Sequence, residues 1–161
     1  MEHSPASAAV FVDVQNIYYT CRDAFSRQFN YRKLVQYLNE TYSLKHAFAY
    51  ATESNSDGQH KFQKALTCMG FEVKTKPYIQ RQDGSAKGDW DVGITIDVME
   101  YGPQVEHVYL LSGDGDFDIL LAHLKRHSHV QTHVFSAPSL TAASLIRQAS
   151  HFHPINASWL L

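Results

Sequence analysis

The sequence predicts a single α/β domain with three layers, α/β/α, around a mostly parallel five-stranded sheet. Short apolar, β-branched segments alternate along the chain with segments of helical periodicity, which is typical of βαβ units. The 161 residues, 44% of them apolar, are enough to bury one core. Because no repeat, low-complexity tract or linker divides the chain, we expect one domain over residues 1–161, with residues 1–7 as a flexible tail.

The first half of the chain alternates strands with helices. The predicted elements are strands 8–14, 45–52 and 71–78 and helices 16–25, 31–40 and 56–68. The first strand (AAVFVDV) is apolar and β-branched, as expected of a buried strand. Leu34 and Leu38 share one face of the second helix, and Gly70 is suited to end the third. This half therefore supplies three strands and the helices that connect them.

The second half continues the alternation after a polar, glycine-bearing loop over residues 80–88. The predicted elements are strands 105–111 and 130–135 and helices 91–101, 117–127 and 141–149. Ile94, Val98 and Tyr101 are expected to face inward from the helix that follows the loop. In open parallel sheets of this kind, ligands bind at the carboxyl ends of the strands, so functional residues are expected there.

The composition limits where the protein works and what it binds. A formal charge of −2 gives no overall attraction for nucleic acid, so such a partner would need a local basic patch. Cys21 and Cys68 are far apart and have no metal-site spacing. The start of the chain is unlike a signal peptide, and no apolar stretch reaches the roughly 20 residues of a membrane span. We therefore expect a cytoplasmic protein without a membrane partner, whose ten scattered histidines are surface and edge residues.

Carboxylates from separate segments are predicted to meet at the carboxyl edge of the sheet. Asp13 ends the first strand, Asp114 and Asp116 follow the fourth, and Asp91 begins a helix that starts at the same edge. Four like charges at one edge repel each other unless a cation neutralises them. Mg²⁺ or Mn²⁺ takes oxygen ligands of this kind. The sequence therefore predicts a divalent-metal site.

Each acid also has an ordinary structural interpretation. Asp114 or Asp116 can cap the helix predicted to begin at Phe117, and Asp91 complements a helix dipole. Capping explains each acid but not their convergence. Asp97 lies about 120° around the helix from Asp91, so it is either a supporting residue or part of the solvated face.

The turn SGDGDF carries further expectations. Gly113 and Gly115 are expected to adopt φ values that other residues avoid, which lets the acids turn toward one ligand. Ser112 and the backbone N–H groups of the turn are placed to contact a phosphate oxygen. A carboxylate-held metal of this type suits phosphoryl chemistry, in which a metal-activated water attacks. The chain contains neither the P-loop pattern nor a GxGxxG after the first strand.

Basic and aromatic residues near the loop provide a candidate surface for a polyanion. The residues predicted to contact such a polyanion are Lys74, Lys76, Arg81, Lys87 and Trp90. Tyr18 and Tyr19 are near the same edge and could stack on bases, but packing against the protein is the favoured interpretation of both.

Three motifs in order resemble one family. VFVDVQNIYY (10–19), KGDWDVGITIDVM (87–99) and SGDGDF (112–117) together look like the NYN domain, in its LabA-like branch, of the PIN-like ribonuclease superfamily. The tail over residues 130–155 also resembles the closing strand, helix and short terminal segment of that family. The resemblance implies a strand order of 3-2-1-4-5 and a Mg²⁺- or Mn²⁺-dependent site that cleaves RNA.

The resemblance also implies roles for individual residues. The catalytic and metal-binding residues it implies are Asp13, Asp91, Asp114 and Asp116. Asn16 matches the asparagine that orients ligands or substrate, and Asp97 matches a further, supporting acid. Two features depart from the family pattern: Val14 replaces a common glycine, and Asp89-Trp90 stands where one residue is commoner. Neither departure removes a metal ligand.

Two functions follow from these observations. The first is a ribonuclease that hydrolyses the phosphodiester bonds of single-stranded RNA. A homodimer is one assembly compatible with this function. The second is a non-catalytic NYN-fold module that binds RNA or a protein, which the near-neutral charge favours. A receiver domain lacks its acceptor aspartate in residues 71–80, and a haloacid-dehalogenase-like phosphatase lacks its second acid in Asp13-Val14-Gln15.

Overall fold

The computed structural model describes residues 4–53, 56–76, 79–80, 86–87 and 89–161. The strands are β1 (Ser7–Asp13), β2 (Ser43–Thr52), β3 (Glu72–Lys76), β4 (Ile79–Gln80), β5 (Ala86–Lys87), β6 (His107–Leu111), β7 (Gln131–Ser136) and β8 (His151–Pro154). The helices are α1 (Val14–Phe25), α2 (Tyr31–Thr41), α3 (Asp57–Cys68), α4 (Asp91–Tyr101), α5 (Asp118–His127) and α6 (Ala143–Gln148), and a 3₁₀ turn, Gly115–Phe117, precedes α5.

The main sheet has six parallel strands in the order β3-β2-β1-β6-β7-β8. The five strands expected from the sequence are β1, β2, β3, β6 and β7, so the expected order 3-2-1-4-5 is confirmed, as is the α/β/α class. The sixth strand, β8, pairs with β7 at the edge of the sheet. Its four residues are too few for an alternating pattern to identify them as a strand.

The core consists of two apolar clusters, one on each face of the sheet. Alternate residues of β1 point to opposite faces, so Val12 belongs to one cluster and Phe11 to the other. Ile17 of α1 and Leu38 of α2 cover the first face, and Val98 of α4 covers the second. Because both faces are covered, the polar groups of the central strands are accessible at the strand ends.

Several boundaries differ from those expected. Ser7 is the first residue of β1 rather than the last of a tail, and α1 begins directly at Val14 because Asp13 caps it. The predicted loop over residues 80–88 includes parts of a short antiparallel pair, β4 with β5. Gly70 has a φ of 107° after α3, as expected of a helix-ending glycine. Among the described residues, no helix has the length and apolar character needed to cross a membrane.

Candidate metal centre

The ends of β1 and β6 lie side by side. Val12 pairs with Leu111 in the parallel register, so the next residues, Asp13 and Ser112, emerge together at the carboxyl edge. The Ser112 hydroxyl donates to Asp13 Oδ2 at 3.3 Å, and the backbone N–H of Asn16 donates to Asp13 Oδ1 at 3.4 Å. Asp13 therefore caps α1 and contacts the turn after β6.

Asp13 is a buried acid with an altered proton affinity. Only 8% of its surface is exposed. Burial raises its pKa to about 6, against the lowering effect of the hydrogen bonds from Asn16 and Ser112. The negative charges of Asp114 and Asp89 raise it further. Asp13 consequently lies within electrostatic range of the turn after β6 and of the residues that precede α4.

Asn16 fixes the position of that turn. Its side-chain oxygen accepts from the backbone N–H of Gly113 at 3.0 Å, which joins α1 to the end of β6. The backbone N–H of Asp114 donates to Ser112 Oγ at 3.2 Å. Ser112 thus bridges Asp13 and Asp114, whereas the supporting roles expected for Asn16 and Ser112 at the site stay predictions.

Asp114 is the capping residue of the turn. Its Oδ1 accepts from the backbone N–H of Asp116 at 2.9 Å, which caps the 3₁₀ turn Gly115–Phe117. The helix α5 begins one residue later than predicted, at Asp118. The capping and ligand interpretations of Asp114 are compatible, because capping occupies one carboxylate oxygen and leaves the other for a ligand. Asp116, by contrast, is exposed.

The two glycines of the turn serve close packing rather than an unusual backbone conformation. Neither has a positive φ, so the expectation of avoided φ values is wrong. A Cβ at Gly113 would lie 2.7 Å from the backbone oxygen of Leu140, and one at Gly115 would lie 2.8 Å from the Cβ of Ala142. A side chain at either position would push the turn away from the segment before α6.

Three carboxylates converge at this edge. Asp91, at the first position of α4, has a carboxylate oxygen within 4.8 Å of one from Asp114 and one from Asp116. The pKa of Asp91 is raised to about 7, and burial is the largest cause. The charge of Asp114, a hydrogen bond between the carboxyl groups of Asp91 and Asp114, and the charge of Asp13 raise this pKa further. Asp13 itself lies outside this set of three, which we call the acidic cluster.

The acidic cluster fits a divalent cation by its donor set. Its members supply carboxylate oxygens, the ligand type that Mg²⁺ and Mn²⁺ prefer. Within the described part of the chain, the ion pairs are Arg22 with Asp23 and Lys74 with Asp97, so no lysine or arginine neutralises the cluster there. After burial, the charges of Asp114 and Asp13 add to the raised pKa of Asp91, as expected of a cluster without a cation partner.

Asp97 has a different environment from the cluster. Its Oδ2 accepts from Lys74 Nζ at 2.7 Å and from the Tyr50 hydroxyl at 2.8 Å. Its charge is therefore compensated within the chain. The position of Asp97, well around α4 from Asp91, agrees with the helical geometry, and the structure gives it a role in joining α4 to β2 and β3.

The residues expected to bind RNA are in different situations. Lys74 is paired with Asp97, and its ammonium also lies 4.7 Å from the ring of Phe48. Lys76 Nζ lies 4.8 Å from the ring of Trp90. Trp90 in turn donates from its indole nitrogen to the backbone oxygen of Ala51 at 2.8 Å. Trp90 therefore anchors the start of α4 to β2, and of these side chains Lys76 has no ion pair with an acid in the described part of the chain.

Two further expected residues cannot be placed by their side chains. Arg81 lies outside the described residues, and only the backbone of Lys87, in β5, is described. Because Gly93 has no side chain, the indole ring of Trp90 can pack against α4. A Cβ at position 93 would lie 2.5 Å from that ring. RNA contact by the five predicted residues stays a prediction.

The sequence interpretation gave too little weight to an aromatic surface on α1. Tyr18 and Tyr19, which were expected to pack against the protein, are 45% and 44% exposed. Their rings form an edge-on pair 5.3 Å apart, and the guanidinium of Arg22 lies 4.8 Å from the Tyr19 ring. The signal was present in the sequence: Ile17 and Cys21 define the buried face of α1, which leaves the intervening tyrosines toward solvent.

Comparison with known proteins agrees with this architecture. The family model of the NYN domain matches residues 7–156. The chain is 26% identical to the low amplitude and bright protein LabA of Synechococcus elongatus over 165 residues, which cover 97% of this chain and 87% of that protein. A crystal structure of a protein of unknown function from Vibrio parahaemolyticus has a TM-score of 0.94 and 43% identity, covering 100% of this chain and 99% of that one. The chain belongs to the NYN domain family, within the PIN-like superfamily, as the three sequence motifs predicted.

Proposed function

We propose that this protein is a Mg²⁺- or Mn²⁺-dependent ribonuclease that hydrolyses phosphodiester bonds of single-stranded RNA. The observation that carries the proposal is the acidic cluster: oxygens of Asp91, Asp114 and Asp116 within 4.8 Å of one another, at the carboxyl edge of a NYN domain. Ligands of parallel α/β sheets bind at this edge. The cytoplasmic location and homodimer expected from the sequence stay predictions.

The acidic cluster would hold the ion, and nearby residues would orient it. A bound divalent ion neutralises charge on the phosphate and lowers the pKa of the attacking water. Asp114 is held in place through its bond to the N–H of Asp116 and through Ser112. Asp13, behind Ser112, adds negative charge that favours a cation at the edge. Since ion binding needs ionised carboxylates, it would release the proton that Asp91 retains up to about pH 7.

A non-catalytic module that binds RNA or a protein is the alternative function. One observation favours a protein partner: Lys74, expected to contact RNA, has its charge compensated by Asp97, which weakens the basic surface that an RNA substrate needs. A module of this kind would bind its RNA or protein partner equally well after the acidic cluster is altered. It would also show the same thermal unfolding with and without Mn²⁺, because only a ligand that binds the native state stabilises it.

The deciding experiment compares cleavage of labelled single-stranded RNA in Mn²⁺ by the wild type, Asp114→Asn and Asp118→Asn. Asparagine at 114 keeps the oxygen that caps the turn but removes the charge. Asp118 lies four residues further on, outside the acidic cluster, and makes the matched control for loss of one charge.

We expect Asp114→Asn to lower cleavage more than about 100-fold, since even residues that only support metal ligands cost about 10- to 100-fold. Asp118→Asn should retain cleavage. Equal cleavage by all three proteins would mean that a contaminating nuclease is responsible, and absence of cleavage by the wild type would leave the binding module as the function.

A further inference from the structure

A large cleft lies between α1 and α3, at the same edge of the sheet as the acidic cluster. Its volume is about 980 Å³, at the upper end of the roughly 300–1,000 Å³ of ligand pockets. The lining begins with Val14, the residue after Asp13, and includes Ala51, whose backbone oxygen accepts from the indole of Trp90. Since Trp90 immediately precedes Asp91, the cleft and the acidic cluster share the carboxyl edge of the sheet.

The lining of this cleft is aromatic and largely uncharged in the part of the chain that the structure describes. Tyr18 and Tyr19 border it with nearly half of each side chain exposed, and Arg22 lies against the Tyr19 ring. Three glutamines contribute amide donors and acceptors. These glutamines are Gln15, Gln28 and Gln59. Exposed aromatic faces with amide groups are the chemistry that recognises nucleobases by stacking and hydrogen bonding.

The charges of the lining argue against a groove for the phosphate backbone. Arg22 is paired with Asp23 at 3.1 Å, and among the described residues of the lining the other charged one is the acid Glu53. A backbone track in a nucleic-acid protein is instead strongly basic. The occupant that fits is thus a base, whose π-face and polar edge need no counter-charge.

We propose that the cleft between α1 and α3 binds unpaired bases of the RNA strand next to the phosphate held at the acidic cluster, with Tyr18 and Tyr19 as stacking surfaces. The inference rests on the proposed ribonuclease function and specifies its substrate. Bases in a duplex are already stacked and paired, so they do not enter the cleft. The cleft therefore selects single-stranded RNA.

The test measures binding of a fluorescently labelled single-stranded RNA of mixed sequence to proteins that carry Asp114→Asn, which prevents cleavage during the measurement. The double variant Tyr18→Leu/Tyr19→Leu removes both rings but keeps apolar side chains. The double variant Tyr18→Phe/Tyr19→Phe keeps both rings and is the matched control. Because both tyrosines are exposed, circular dichroism and thermal unfolding should show folded proteins in both cases.

We expect the leucine variant to bind the RNA about 5- to 150-fold more weakly for each base that stacks, and the phenylalanine variant to bind as the parent does. The parent should bind duplex RNA of the same sequence more weakly than the single strand. Unchanged affinity in the leucine variant, or equal affinity for duplex and single strand, would overturn the proposal.

The same leucine variant in the wild-type background separates this inference from the proposed function. Its thermal stabilisation by Mn²⁺ should equal that of the wild type, since the acidic cluster is intact. If the protein cleaves RNA but the leucine variant binds RNA as tightly as its parent, the base-binding cleft is overturned and the ribonuclease function stands. Tyrosine-dependent binding without any Mn²⁺-dependent cleavage would support the cleft and overturn the ribonuclease.

Discussion

Two groups of interacting ionisable side chains share the sheet and behave in opposite ways. In the acidic cluster at the carboxyl edge, burial and then the neighbouring carboxylate of Asp114 raise the pKa of Asp91 to about 7. Across β6, β7 and β8, a histidine chain runs from His107 Nδ1 to His133 Nε2 at 2.9 Å, and from His133 Nδ1 to His153 Nε2 at 2.8 Å. Burial, with the other histidines, lowers the pKa of His133 to about 3.

The difference lies in what each group offers as a hydrogen-bond partner. A neutral imidazole has one donor and one acceptor nitrogen, so neighbouring histidines satisfy each other without charge. Ionised carboxylates only accept, so neighbouring ones repel unless they share a proton or bind a cation. The histidine chain is therefore complete within the protein, whereas the acidic cluster is suited to an external cation. A chemical difference thus separates a structural group from a candidate functional one.

Addition of Mn²⁺ should produce the largest contrast between the two groups. At about 1,000 times its dissociation constant, an ion that binds only the native state adds about 4 kcal/mol to the free energy of unfolding. We expect this gain in the wild type and in His133→Ala, but not in Asp114→Asn. Thermal unfolding with and without Mn²⁺ measures it. A gain of the same size in Asp114→Asn would place the ion elsewhere.

The pH dependence of the stabilisation by Mn²⁺ provides a second check of the contrast between the acidic cluster and the histidine chain. Without metal, the native state keeps the Asp13 proton up to about pH 6, whereas an ordinary aspartate releases it near 3.8. The native state thus binds more protons in this window, so the metal-free protein loses stability as the pH rises from about 4 to 6, on the order of 3 kcal/mol from Asp13. The stabilisation by Mn²⁺ should grow toward about pH 8, as Asp91 ionises. A stabilisation that is constant with pH would contradict this assignment.

Interruption of the histidine chain should have the next largest effect. His133 is buried, and its ring lies 4.2 Å from that of Tyr109 in a stacked arrangement. His133→Ala removes this packing and leaves His107 and His153 without their partner, at a cost of about 2–4 kcal/mol. Urea unfolding at pH 7 measures the cost, and the exposed His129→Ala is the control, with a change within about 0.5 kcal/mol.

The direction in which stability changes as the pH falls also distinguishes His133 from Asp13. Its pKa is about 3 in the folded state and 6.5 ordinarily, so protons bind the unfolded state more tightly. This contribution to stability is lost as the pH falls from about 6.5 to 3, the reverse of the Asp13 contribution. In His133→Ala the acid-side decline should be shallower. An unchanged decline would mean that another group causes it.

The fold was predictable from the sequence because its elements are long and strongly patterned. The apolar strands β1 and β6 and the amphipathic helix α2 are each identified by periodicity alone. The strand β8 was missed because its four residues contain two histidines, whose suitability for a sheet depends on stacking with His133 of the neighbouring strand. Such cross-strand partners are set by the tertiary register, which the local sequence does not contain.

The site was predictable to the level of the edge but not of the individual contacts. Parallel topology alone brings Asp13, Asp91 and Asp114 to one edge of the sheet. That Asp13 lies behind Ser112 depends on side-chain directions at the strand ends. The role of Gly113 was misjudged for a similar reason: its restriction comes from the backbone at Leu140, 27 residues away in the chain. Distant contacts of this kind leave no mark on the local sequence.

The smallest expected loss of stability concerns the ion pair of Asp97 with Lys74, in which the chain itself provides the positive charge. The ion pair with Lys74 is partly exposed, with 32% of the lysine and 14% of the aspartate side chain accessible. In Lys74→Met, Asp97 keeps the hydrogen bond from Tyr50, so the expected loss is about 1 kcal/mol, near the top of the range for exposed pairs. Urea unfolding measures it, and the exposed Lys45→Met is the matched control.

Salt and RNA extend this last comparison. High salt should reduce the loss in Lys74→Met, because screening already weakens the pair in the wild type. The affinity for single-stranded RNA should stay within about twofold of the wild type, since the charge removed is compensated by Asp97 rather than free to contact a phosphate. A marked fall in RNA affinity with unchanged stability would instead assign Lys74 to the RNA surface, as the sequence first suggested, and would mean that Asp97 releases it when RNA binds.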